Sequence, residues 1–127
     1  MRDLIISAVA VVLLISIWLI FFSYSESQIV SFTDTVENRL IPMAEAGDWD
    51  SCASAAKDLN TRWEQYKKSA FLFLNTDDLS DIDCSLAKTI KYIDAHDLSN
   101  SSGELMTLHR QLSYLSLNEK INAANVL

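Results

Sequence analysis

The sequence predicts an all-α protein: an N-terminal transmembrane helix continuing into an antiparallel up-down four-helix bundle. Three observations predict it. From Leu4 to Phe22 run 19 residues without a charge, 17 of them apolar. The 127 residues include only 2 Gly and 1 Pro, too few for a turn-rich β fold or a Gly-rich phosphate loop. Beyond the first run, apolar residues recur at spacings of three and four, the period of helices with one buried face.

At ~1.5 Å per residue the uncharged run covers about 28 Å, close to the ~30 Å hydrocarbon core of a bilayer. Ser7 and Ser16 interrupt it without harm, because a hydroxyl can bond to a carbonyl of its own helix. Trp18, Phe21, Phe22 and Tyr24 form an aromatic belt at one end, expected at the headgroups. The terminal amine and Arg2 outweigh Asp3, whereas Glu26, Asp34 and Glu37 precede the next cation, Arg39. The positive-inside rule therefore makes 1–3 a cytoplasmic tail, 4–25 the transmembrane helix and 26–127 an extracytoplasmic domain. The competing reading is a cleaved signal sequence with Ser23 and Ser25 before the cut. Against it, 19 uncharged residues exceed an h-region of about 7–15, and the site is not A-x-A-like.

Outside the membrane, helices are expected at about 26–46, 48–74, 77–97 and 100–124. Ile29, Phe32, Val36, Leu40 and Met43 carry the first, with Pro42 in its last turn. Gly47 suits the left-handed position that ends a helix, and Asp48 suits a cap for the next. The second helix has the row Trp49, Cys52, Ala56, Leu59, Trp63, Tyr66, Ala70 and Phe73, alternating large and small residues as bundle packing requires. Leu79, Ile82, Leu86, Ile90 and Ile93 mark the third, whose first turns hold Asp77, Asp78, Asp81 and Asp83, where acids complement the helix dipole. The run DLSNSSG, 97–103, is expected as a loop, followed by a fourth helix on Leu105, Leu108, Leu112 and Leu115. Short connections make consecutive helices antiparallel neighbours.

Several features bear on function. Lys and Arg number 10 against 17 Asp and Glu, a net charge of −7, which argues against nucleic-acid binding because phosphates need basic partners. No C-x-x-C, H-E-x-x-H, G-x-S-x-G or P-loop pattern occurs, so no catalytic residue, cofactor or cofactor-binding residue is assigned and the chain is not expected to be an enzyme. His96 and His109 read as surface residues. Cys52 and Cys84 fall about 22 Å apart along the bundle, beyond disulfide reach, so two free thiols are expected, an intermolecular bridge staying open for Cys84. The acidic run TDDLSDID lacks the calcium-loop pattern and its central Gly. Extending the last apolar row puts Glu119 and Asn122 on the buried face, and buried carboxylates need a partner or a proton. Glu119 falls level with Asp78, making these two the candidates for holding a cation, with Lys67 as the alternative counterion. The run AFLFL, 70–74, is apolar all round, so Phe71 and Leu72 form a candidate interaction patch facing lipid or a membrane partner, the plain alternative being burial under the next loop. Trp49 and Trp63, two heptads apart, could line a groove, although Trp at such positions usually belongs to a core.

The segment GDWDSCASAAKDLNTRW, the acidic turn DDLSDID and the ending LHRQLSYLSLNEKINAANVL, with Glu119 and Asn125, together resemble family 4363 of the domains of unknown function, small single-pass membrane proteins of Gram-positive bacteria. The DDLSDID match is partial, since Asp77 or Asp78 stands where family members often show a His. The resemblance implies a bacterial cell-membrane protein with an external helical domain and brings no activity, ligand or catalytic residue with it.

The expected function is a membrane-anchored module that binds another membrane or envelope protein, with the bilayer as its second partner. An alternative is a sensory bundle holding a small ligand or cation between its helices. The second helix's row suits an intermolecular coiled coil as well as an internal core, so the sequence leaves a homo-oligomer open.

Overall fold

The computed structural model describes the backbone of residues 1–126 and the side chains of residues 1–118, 120 and 121. All regular elements among the described residues are helical. The first is α1, Arg2–Thr35, followed by a π-helical turn, Val36–Leu40, and a short α2, Ile41–Glu45. These three run on as one rod, Arg2–Glu45, whose first half is long and apolar enough to cross a membrane and is almost wholly unburied. The second half packs in the bundle with α3 (Trp49–Ala70), α4 (Thr76–Asp94) and α5 (Leu98–Val126).

The π turn has a sequence cause. In the regular helix Pro42 would withhold the N–H owed to the carbonyl four residues back and crowd it with its ring. The chain widens the preceding turn instead, so that the Ile41 N–H bonds to the Val36 carbonyl. The extra residue shifts the buried row: Ile29, Phe32, Val36, Leu40 and Ala44 are enclosed, and Met43, expected in that row, is only partly buried.

Helix ends follow local chemistry. Gly47 adopts φ +73° after α2, a conformation that a Cβ would strain, and the Asp48 carboxylate accepts the Ser51 N–H at 3.4 Å to start α3. Asn75 Oδ1 accepts the Asp77 N–H at 2.8 Å ahead of α4. The Asp97 carboxylate accepts from Asn100 Nδ2 at 2.7 Å and Asn100 N at 3.0 Å. Those bonds, side chain first, hold Asp97 below its ordinary value. Two expected boundaries are corrected. The 97–103 segment is no loop, because Asp97 caps a helix that begins at Leu98 and carries Gly103 inside it. In turn, α3 stops at Ala70 rather than 74, and the chain turns through residues 71–74.

The helices stand in a ring: α3 packs between α1 and α4, and α5 closes it between α4 and α1. Phe32, Leu59, Trp63, Ile82, Leu86, Leu108 and Leu112 fill the centre around a void of about 10 Å³. Phe32 meets Trp63 and Tyr66 edge to face, with centroids 5.9 and 5.5 Å apart, the arrangement that ring quadrupoles favour.

Candidate functional site

The register of α3 against the long rod is fixed by polar contacts. Ser25 Oγ and Tyr66 OH, both buried, lie 2.5 Å apart. Arg62 donates to Ser31 Oγ at 3.0 Å and Thr35 Oγ1 at 2.9 Å, and its guanidinium lies 5.7 Å from the Phe32 ring centre. At the lower end Phe73 stacks on Phe21 with centroids 4.2 Å apart. The turn after α3 is thereby held beside the last residues of the apolar run. Its side chains divide: Leu74 packs on the core and Phe73 on Phe21, while Phe71 and Leu72 point outward, 59 % and 76 % exposed. Phe71 and Leu72 are thus two adjacent exposed side chains, and the following segment does not cover them.

The two tryptophans part company. Trp63 is enclosed in the core and donates its Nε1–H to Asp83, so no open groove forms between Trp49 and Trp63. Trp49, half-buried at the opposite end of the bundle, stacks on His96 with centroids 5.4 Å apart and planes 5° from parallel. His96 adopts φ +56°, a left-handed conformation uncommon outside Gly and Asn. Beside this pair, Ser54, Lys57 and Asp94 border an open cleft of about 480 Å³.

Lys67 does not reach Asp78. It binds Asp83 at 2.8 Å and Glu64 at 3.2 Å, and the Asp83 hydrogen bond, against partial burial, raises the ammonium above its ordinary value. Asp78 and Asp81 instead border a recess of about 280 Å³ with Gln111, Tyr114, Leu115 and Asn118. Gln111 Oε1 is buried there with no hydrogen-bond partner among the described residues. The side chains of Glu119, Asn122 and Asn125 lie outside the described ones, and among the described residues no three His, Cys, Asp or Glu side chains group as a metal site. Cys52 and Cys84 are free thiols. Burial, then Asp48, pushes the Cys52 thiol up, and its Sγ approaches the Leu40 carbonyl at 3.6 Å. His109 pairs with Glu37 at 3.5 Å.

One surface was not singled out from the sequence. On α5, Met106, Tyr114, Leu117 and Ile121 are exposed, Tyr114 by 64 %. With Arg110 they share the sector opposite the buried Leu105, Leu108, Leu112 and Leu115. A helix with apolar residues on both faces carries more than its own core needs, and that doubling is the signal the sequence offers. The stripe has acidic margins. On the α4 side stand Asp78 and Asp81 in the recess that Tyr114 lines. On the α1 side, Asp34 and Glu37 share a groove of about 390 Å³ with Ser113 and Ser116.

Among known proteins, the family model described as Domain of unknown function (DUF4363) matches residues 19–126. No curated protein matches the chain. No solved structure matches it.

Proposed function

The chain belongs to the DUF4363 family, whose description leaves the role to be read from the chain's own surfaces, and we propose that it is a membrane-anchored, extracytoplasmic helical module that binds another membrane or envelope protein. The observation that carries this reading is the exposed Met106, Tyr114, Leu117 and Ile121 stripe on α5. Apolar contact area that shields no core of its own marks a partner site. Its rims, Asp34 and Glu37 on one side and Asp78 and Asp81 on the other, favour a partner helix with an apolar face flanked by Lys or Arg. They disfavour a second copy, which would set acid against acid across a two-fold interface. The long apolar stretch of the Arg2–Glu45 rod supports the anchor.

The test is a photo-crosslinker in place of Tyr114, irradiated in intact cells with the full chain in its membrane. The expected result is one discrete protein adduct, mapped to a helix with basic flanks and lost in Leu117→Glu. Adducts only with a second copy, or none, would overturn the reading.

A second reading, a small-ligand module, is favoured by the Trp49–His96 stack and its cleft. It predicts that a small molecule entering that cleft raises the unfolding temperature and that Trp49→Ala abolishes the rise.

A further inference from the structure

Resting on the membrane reading above, we propose that the α3–α4 turn is a second membrane contact, with Phe71 and Leu72 seated in the outer lipid leaflet beside the end of the transmembrane helix. The occupant of this patch is lipid.

Position argues it first. Tyr66 meets Ser25 and Phe73 stacks on Phe21, so the turn sits level with Phe21, inside the apolar run that ends at Phe22 and four residues short of the next charge, Glu26. A bilayer deep enough to cover Phe21 covers the turn as well. The turn has no second location available to it, because it is tied to the rod through an aromatic stack and a buried hydroxyl pair.

Composition argues it second. From Ser69 to Thr76 the chain carries no charge, and Phe71, Leu72, Phe73 and Leu74 follow one another without interruption. The structure packs Leu74 on the core, stacks a still partly exposed Phe73 on Phe21, and turns Phe71 and Leu72 away from the protein. A single exposed apolar residue needs no account, but two adjacent ones at the border of an apolar span form one continuous surface with it. Charge completes the pattern: exposed Lys68 lies in the last turn of α3, just above the patch, where a long cationic stem reaches lipid phosphates. Trp18 and Phe22, stacked with centroids 5.7 Å apart, mark the same level on the rod.

The test uses the full chain in phosphatidylglycerol–phosphatidylcholine nanodiscs, with Cys52→Ala and Cys84→Ser removing the native thiols. Nitroxide labels are placed singly through Val12→Cys in the span, Leu72→Cys in the turn and Lys88→Cys on exposed α4, and collisions with oxygen and with a water-soluble nickel chelate are compared. All three side chains are exposed, so labelling leaves the core intact, and circular dichroism confirms it. The expected result is that position 72 shares with position 12 a preference for oxygen, at shallower depth, while position 88 shows the reverse. A nickel preference at 72 with oxygen preference kept at 12 overturns the lipid contact alone. Exclusion of both reagents at 72 overturns it in favour of a protein covering the turn. A nickel preference at 12 overturns the membrane reading itself.

Discussion

Asp83 shows how much one side chain can organise. Its carboxylate receives the Trp63 Nε1–H and the Lys67 ammonium, so a core indole and a half-buried cation on α3 are joined to α4 through one group. A hydrogen bond to a charged group contributes more than a neutral one, and removing one partner leaves the others poorly solvated. Trp63→Phe should therefore lower stability by about 2 kcal/mol, read by denaturant unfolding in detergent. The pH dependence has a definite sign. The folded-state value of Lys67 lies above its ordinary 10.5, so its contribution is full below that value and is lost as pH rises through the folded one. Lys67→Met should flatten the alkaline limb of a stability–pH profile, and an unchanged limb would show that the pair does not contribute. Asp83 was legible only as one of four acids in the first turns of its helix; nothing in the spacing told it apart from Asp77, Asp78 or Asp81, because its partners come from another helix.

At the scale of the element, the π turn is the feature with the clearest physical cause and the faintest sequence signal. Phe32, Val36, Leu40 and Ala44 are buried at successive steps of four, a spacing that drifts around a regular helix with 3.6 residues per turn. The widened turn absorbs the drift and spares the carbonyl ahead of Pro42. Deleting Asn38 would restore regular three-four spacing and bring Pro42 back into a regular helix, at a cost of about 3 kcal/mol. Deletion of Asn38 alone should thus destabilise strongly, and deletion combined with Pro42→Ala should recover most of the loss, both measured by thermal unfolding. The row of α3 was legible from Cys52 to Ala70, where its alternation is regular and every member is buried; its ends were not, since Trp49 is only half-buried and Phe73 lies beyond the helix. The expectation of Met43 in the first row failed by one residue because the period itself changes within that helix. The start of α5 was misread for another reason: Ser and Asn are loop residues by composition but also the residues of a capped first turn, and only Asp97's bonds to Asn100 decide between the two.

For the whole molecule, charge and apolar surface are distributed in a way that separates affinity from encounter. The α5 stripe would supply contact area, and the carboxylates at its margins would steer a basic partner. Asp34→Asn combined with Asp78→Asn should slow association and flatten its salt dependence while leaving dissociation little changed, as read by surface binding once the crosslinked partner is known. The up-down ring of helices was legible from periodicity and short connections, whereas the α5 stripe was not singled out, since only the packed ring shows which of two apolar rows the core consumes. The rod that carries the first of those helices passes from its apolar half into the bundle with no break in its hydrogen-bonded backbone; its wide turn lies well inside the bundle, at Val36–Leu40. In the proposed arrangement this makes the molecule a rigid lever. A span tilting by ~20° to fit a thinner bilayer would carry the Trp49 end, about 30 Å above it at ~1.5 Å per residue, sideways by roughly 10 Å. With the turn after α3 as a second foot, such rocking is confined to the plane perpendicular to the line between the two feet, so membrane thickness would set the direction in which the far end leans.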